Sequence, residues 1–287
     1  MALKLEEQPI GKSLPSLSHR SSIAWQSLDD PIAECPPGNE DSAVLVLSSR
    51  SYLPLRPQNP SSLETEENDD RNASLSVLMY IDLRLSLPLS PTGSVSWAFA
   101  GLRHTLRVES PRHRWDHVID SRSSGCVDDV GETVVFDGKE VEVGEGFNPK
   151  SGVVERYFET WREEDPAPKS PFIFLSNYSE PIQSTSFMAV LGSHAIAMSQ
   201  ISVEKPLIAI RMNRLDSIAG KGPWQMVYST TQSENLREQL ETLLKDLVEY
   251  VQGNKRGDSL MIPPGVGQVR QLPSVWTVFD CGFISAH

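Results

Sequence analysis

The sequence predicts a mainly β protein whose antiparallel strands close into barrels in two successive halves, with one notable helix in the second. Three observations carry this. Apolar and polar residues alternate over long stretches, above all from Ser74 to Leu87; an Asp137-Gly138 dipeptide separates two short strand candidates; and one segment near the C-terminus keeps a helical stripe. Alternation puts successive side chains on opposite faces of a strand. Asp-Gly supplies the positive φ angles of a tight hairpin, and a chain of many short strands hides its edges most simply by barrel closure. With 287 residues there is room for two domains of ordinary size.

In chain order, residues 1–42 are rich in Ser, Pro and charge, with Ile23 and Trp25 a bulky pair able to dock on a core, and read as an extended N-terminal arm. The first barrel is placed at 43–164. Val44 to Leu47 is a buried strand candidate. From Ser74 to Leu87, Leu75, Val77, Met79, Ile81, Leu83, Leu85 and Leu87 share one face, opposite Ser76, Tyr80, Asp82, Arg84 and Ser86. Further strands are read at 95–108, 133–136, 140–143 and 152–162. The acidic run Glu64 to Asp70 reads as a solvated loop, and the polar stretch Arg112 to Asp120, after Pro111, as a loop over the barrel mouth. Asp165-Pro166-Ala167-Pro168-Lys169-Ser170-Pro171 interrupts regular structure, because proline removes donors and fixes φ, so 165–171 is the expected linker.

The second barrel is placed at 172–287, with strands near 172–175, 187–200, 207–213, 224–229 and 275–284. Its helix is expected over 232–252. Thr231 and Glu234 read as a capping box, Leu236, Leu240, Leu243, Leu247 and Val251 form the stripe, and Gly253 ends it.

The chain carries 38 acidic and 26 basic residues, a net charge of −12, which repels nucleic acid. No apolar run approaches the roughly 20 residues that span a bilayer, so no membrane insertion is expected, and Met1 to Arg20 shows no secretory pattern, which makes a cytoplasmic location the expectation. Cys35, Cys126 and Cys281 have no CxxC spacing and read as ordinary thiols. The sequence carries no signal for an oligomeric state.

Chemistry is sought on the strand at 95–108. His104 shares a face with Ala98, Ala100, Leu102 and Leu106, while Trp97, Phe99, Arg103 and Arg107 share the other; either face can line a cavity, and a histidine in an apolar wall is equally a core residue. His194 alternates with Met188, Val190, Ile196 and Met198 in the same ambiguous way. Tyr157 and Trp161 lie on one strand face, as wall or as core. Asp116 and Asp120 are acid–base candidates if partly buried. His113 and His117 have i, i+4 spacing but no third ligand at motif spacing, so no metal is expected. Asp128 and Asp129, as strand neighbours, point apart and cannot share a proton. There is no phosphate loop or nucleophile elbow.

Two sequence words, Trp97-Ala98-Phe99-Ala100-Gly101 and Ser124-Gly125-Cys126-Val127-Asp128-Asp129, together with Tyr157 to Pro166, Phe187 to Gln200 and Trp276 to His287, resemble the fungal HRI family. The resemblance covers roughly three quarters of the chain and implies two lipocalin-like β-barrels. In length and in retaining these words the chain is similar to a subgroup, the hetero-Diels–Alderases of tropolone sesquiterpenoid pathways such as those to xenovulene and eupenifeldin. That implies a cofactor-independent reaction: a hydroxymethyl tropolone loses water to a quinone methide, which adds to a humulene-type alkene inside an apolar cavity. Under this reading His104 or Asp120 moves the proton, Arg103 steadies the tropolonate oxygen, and Trp97, Phe99, Tyr157, Trp161 and His194 contact substrate. No cofactor is expected, and the partners are these two apolar small molecules. The alternative is a non-catalytic HRI-like protein that binds a small molecule or another protein.

Overall fold

A computed structural model describes residues 5–10, 13–54, 74–123, 127–179, 184–200, 206–215, 222–230, 233–262 and 274–285. The loop expected at Glu64–Asp70, Cys126 and the capping residue Thr231 lie outside them. The first half contains β1 (Leu5–Pro9), β2 (Ser16–Gln26), β3 (Ser42–Ser48), β4 (Tyr52–Pro54), β5 (Ser76–Ser86), β6 (Val95–Arg107), β7 (Arg112–Asp120), β8 (Asp129–Phe136), β9 (Lys139–Asn148) and β10 (Val153–Glu164). All pairings are antiparallel, in the order β1-β4-β5-β3-β2-β10-β9-β8-β7-β6, and β5 also pairs with β6, so the eight strands from β5 to β6 close into a barrel. Asp137-Gly138 turns β8 into β9 with both residues at positive φ.

Two readings of this half are corrected. Residues 16–26, expected within an extended arm, form β2, which fills the barrel wall between β3 and β10; polar composition hides this because one face of β2 meets a polar lumen. The expected loop at Arg112 to Asp120 is β7, for the same reason.

The second half holds β11 (Pro171–Ser179), β12 (Ser184–Leu191), β13 (His194–Gln200), β14 (Ile208–Arg214), β15 (Trp224–Ser229), α1 (Glu234–Lys245), α2 (Leu247–Gly253), β16 (Ser259–Ile262) and β17 (Ser274–Phe283). Its strands form a seven-stranded antiparallel sheet, β15-β14-β13-β12-β11-β17-β16, in which β15 and β16 are the edges. Among the described residues the second half is thus an open sheet where a second barrel was expected. The single strand expected over 187–200 is a hairpin, reversed at Gly192, whose φ of +59 suits glycine. The helix expected over 232–252 is two helices that meet at Asp246.

The alternating apolar stripe of β5 does not face the barrel interior. Met79, Ile81, Leu83 and Leu85, with Leu45 and Leu47 of β3 and Ala98 and Ala100 of β6, point outward and share one core with Phe172, Phe174, Phe187, Ala189, Ile196 and Met198 of the second sheet. The sheet's other face, with Ile173, Leu175, Met188 and Val190, is covered by Leu236, Leu240, Leu243, Leu247 and Val251 of the helices. Polar clasps tie the halves together. Asp280 of β17, fully buried, accepts bonds from the Arg50 backbone N–H at 2.9 Å, from Arg50 Nη2 at 2.6 Å and from the Tyr52 hydroxyl at 2.6 Å. The Gln200 amide brackets the Asp120 backbone, accepting from its N–H at 3.2 Å and donating to its carbonyl at 3.1 Å.

A bulge in β7 positions the site. Ala100 pairs with Ile119 but Gly101 with His117, so Val118 is the extra residue. A Cβ on Gly101 would sit 1.9 Å from the Asp116 carbonyl oxygen, so only glycine admits the bulged strand. Gly101→Ala is therefore expected to lower stability by about 1–3 kcal/mol through overpacking, read from the urea midpoint, whereas Val118→Ala, at an exposed position, should leave that midpoint nearly unchanged.

Candidate lumenal site

The barrel encloses a cavity of about 710 Å³, within the size range of small-molecule pockets. Because β5 and β6 give their apolar faces to the second sheet, their mixed faces line it: Tyr80, Asp82 and Arg84 from β5, and Trp97, Phe99 and Arg103 from β6. Asp120 of β7 and Tyr157 and Trp161 of β10 also line it. Six of the expected site residues are thus brought together. His104 is not: it lies on the outer face, where its Nε2 meets Asp116 Oδ2 at 2.8 Å and its Nδ1 meets Ser74 Oγ at 3.2 Å. His194 sits outside the lumen too, on β13, against Glu164.

Most lumenal charge is mutually committed. Glu159 of β10 accepts from Arg20 Nη1 at 2.5 Å and Arg84 Nη1 at 2.8 Å. Arg84 also grips Asp82 through Nη2 at 2.8 Å, and Arg20 bonds Asp41 and Ser42. The Arg84 guanidinium lies 4.8 Å over the Trp97 ring, closing one wall.

Inserting Val118 lets His117 and Asp120, three residues apart, both turn inward. His117 donates from Nδ1 to Asp120 at 2.7 Å and from Nε2 to Asp129 at 2.9 Å, and its ring stacks on Phe99 at 4.3 Å. Burial alone would lower the imidazole; the hydrogen bonds and charges of the two carboxylates outweigh it and raise it to about 9. Burial would raise Asp120, but bonds from His117, the Arg122 N–H and the Trp97 indole hold it below the usual carboxylate range. Asp120 is therefore an anion fixed by four donors counting Ser123 N–H, a brace and not a proton donor.

Other lining groups lack such partners. The Nε of Arg103, Nδ1 of His113 and Nε1 of Trp161 are buried with no hydrogen-bond partner among the described residues, and all three residues line the cavity. Burial, then the Arg103 charge, pushes His113 down to about 3, so it is neutral. Glu142 of β9 faces them. Burial, then the nearby negative charges of Glu159 and Asp129, pushes its carboxyl up to about 8, which leaves it protonated at neutral pH. The Tyr157 hydroxyl lies 3.4 Å from Glu142 Oε1. Space for the Tyr157 ring comes from the cross-strand pair Gly131 and Gly144, since a Cβ on Gly144 would come within 2.4 Å of the tyrosine oxygen. Sequence reasoning missed Glu142, His113 and Tyr80 as lumenal groups; the signal was the alternation Glu140-Val141-Glu142-Val143, which turns both glutamates to the face opposite the valines.

A family model described as Protein HRI1 matches residues 16–246. The crystal structure of an uncharacterized protein, YLR301w from Saccharomyces cerevisiae, superposes with a TM-score of 0.55 at 14% identity, covering 94% of this chain and 99% of that one. At that identity the likeness concerns the fold alone. No curated protein matches. No helix among the described residues is long and apolar enough to cross a membrane.

Two outcomes follow from the lumenal charges. His117 is raised in the folded state, so its contribution is full below its unfolded value near 6.5 and is lost as pH rises through about 9. His117→Phe, which leaves Asp120 and Asp129 without the cation between them, should cost about 3–5 kcal/mol at pH 6, with the gap from the parent narrowing by pH 10 in urea melts. Glu142 has the same sign for rising pH in a lower window: its folded state keeps a proton that the unfolded chain releases above about 4.3, so stability falls between there and about 8. Glu142→Gln should match the parent in thermal melts at pH 4 and exceed it increasingly up to pH 8; a constant difference across that range would contradict the assigned protonation.

Proposed function

The chain belongs to the HRI1 family, and from that premise we propose that its barrel lumen binds a small aromatic molecule carrying an oxyanion. The observation that carries this is the set of three buried, unpartnered nitrogens, Arg103 Nε, His113 Nδ1 and Trp161 Nε1, facing one cavity between aromatic walls. Buried polar groups in native proteins are almost always bonded, which supports a ligand with an acceptor oxygen in this part of the lumen. Arg103 supplies the cation, with a donor geometry suited to planar oxyanions. Trp97, Phe99, Tyr157 and Trp161 supply ring surfaces.

In its catalytic form this reading is a cofactor-independent hetero-Diels–Alderase acting on a hydroxymethyl tropolone and a humulene-type alkene. The lumen puts a proton donor and a cation on one cavity, which the two faces of β6 alone do not. Glu142, protonated at neutral pH, takes the part first sought at His104: it protonates the departing hydroxyl, the C–O bond breaks, and water leaves. Arg103 holds the ring oxyanion, whose electron pair forms the carbonyl of the quinone methide as the C–O bond breaks, and the Glu142 carboxylate takes its next proton from water before another turnover. The alkene then adds across the enone, forming one C–C and one C–O bond, while the aromatic walls exclude water and hold the partners together.

Binding is tested by quenching of tryptophan fluorescence with tropolone. The parent should titrate to saturation, and Arg103→Met should weaken binding at least about tenfold, roughly the 1.5–3 kcal/mol of a charge-assisted bond; equal affinity in the two proteins would sink the lumenal assignment. Incubation with a hydroxymethyl tropolone and humulene tests the chemistry. A cyclised adduct should form and slow by about 10²- to 10⁴-fold in Glu142→Gln. Saturable tropolone binding with no adduct above the uncatalysed background would make the protein a binder and reject the catalytic form.

A further inference from the structure

Outside the lumen, where residues 165–171 cross from the barrel to the second sheet, three ligand-type side chains from three strands converge. His19 on β2 and Glu164 on β10 belong to the barrel; His194 on β13 belongs to the sheet. His19 Nε2 lies 3.0 Å from Glu164 Oε2 and His194 Nε2 lies 3.0 Å from Glu164 Oε1. One ligand atom from each residue falls within 4.8 Å of the other two, and the imidazoles cross edge-on with centroids 6.0 Å apart. His194 is buried, and with Glu164 it lines a cleft of about 460 Å³ bounded by Pro166, Pro168, Gly192 and Ser193. We propose that His19, Glu164 and His194 form a binding site for a divalent transition-metal ion of the zinc class, independent of the lumenal ligand.

The donor set carries the choice of ion. Two imidazoles and one carboxylate suit zinc, cobalt or nickel, whereas calcium and magnesium take oxygen ligands almost throughout. Three protein ligands leave a coordination position for water or a small anion, and here that position opens to the cleft. Metal–ligand bonds of about 2.0–2.1 Å place tetrahedral ligand atoms roughly 3.3 Å apart, and both nitrogen–oxygen separations are already 3.0 Å. An ion therefore replaces the protons of two existing N–H···O bonds, and the three ligand atoms, now within 4.8 Å of one another, draw in around it. An ordinary histidine–carboxylate pair needs one ring, as His104 and Asp116 show on the barrel's outer face; here both oxygens of one carboxylate are aimed at two rings.

Arg211 of β14 attracts Glu164 and opposes positive charge on His194, and its Nε has no partner among the described residues. Its charge weakens a bare dication and selects an anionic fourth ligand. Because the three ligands come from both halves of the molecule, an ion here would pin the barrel to the sheet on either side of the proline-rich crossing, and binding to the folded state alone raises stability.

The test uses the full chain, washed with chelator and titrated with cobalt, then competed with zinc. One equivalent of cobalt should give visible d–d absorption that zinc displaces, and zinc should raise the melting temperature. His19→Ala and Glu164→Gln should each weaken zinc binding by at least about tenfold, the low end of what even outer-shell changes cost. His19→Asp should restore part of it, because a carboxylate can ligate from the same position. His104→Gln, which breaks the single-ring pair, should bind as the parent does. Circular dichroism checks that each variant is folded. Absence of a saturable equivalent in the parent, or unchanged zinc affinity in folded His19→Ala and Glu164→Gln, would reduce the cluster to a hydrogen-bonded clasp and overturn the proposal, with the tropolone titration unaffected either way.

Discussion

Burial of β5 on both faces is the constraint from which the remaining architecture follows. Its outward residues Met79, Ile81 and Leu83 have no exposure because the second sheet covers them, and large apolar side chains of this kind each contribute about 1.5–3 kcal/mol when fully buried. Once that face is spent on the sheet, Tyr80, Asp82 and Arg84 must point into the barrel. A lumen built from such residues cannot pack as a dry core. It needs paired charges, and the pairs are supplied by Glu159 and Arg20 from the far wall. The open sheet, in turn, is stable as an edge-bearing structure because the barrel covers one of its faces and the two helices the other.

Charge in this lumen divides into two kinds. Arg20, Arg84, Asp82 and Glu159 satisfy one another, and His117 is locked between Asp120 and Asp129. A buried charge that is already paired is structural: removing one partner is costly, yet it offers little to a ligand. Arg103, His113, Trp161 and Glu142 form the second kind, with orphaned donors and a carboxyl kept protonated by burial and by its acidic neighbours. Perturbed groups of this sort concentrate at functional sites. The separation explains why Asp120, a reasonable acid–base candidate on sequence, contributes to the site as a brace, while Glu142 on the neighbouring wall keeps its carboxyl protonated.

Much of the candidate site was legible in local pattern. Period-two alternation makes Trp97, Phe99 and Arg103 one face of a strand and Tyr157 and Trp161 one face of another, and the structure keeps both groupings in the same cavity. Asp137-Gly138 marks the β8–β9 turn because few other dipeptides accept two positive φ angles. Less legible were β2 and β7. Their residues are mostly polar, with only isolated core positions such as Leu17 and Ile119, a composition that in many proteins denotes a loop; a strand that lines a polar lumen needs no continuous apolar stripe. Gly192 and Asp246 were also passed over, since one glycine inside an alternating run and one aspartate inside a helical stripe do not disturb the periodicity on either side.

By itself, then, the sequence determined the strand pattern, the face partners along each strand, the helical stripe and the family, because these depend on neighbours within a few residues. Only the tertiary structure decided which face of each strand turned inward. For β6 the faces of Ala98, Ala100 and His104 on one side and Trp97, Phe99 and Arg103 on the other are both acceptable barrel linings. The choice was made by Phe172, Phe174 and Phe187, more than sixty residues further along, whose sheet took the apolar face and left the aromatic and cationic one to the lumen. The convergence of Glu142 with Arg103, and of His19 with Glu164 and His194, was decided in the same way, by the closure of the barrel and its docking on the sheet, which no local periodicity records.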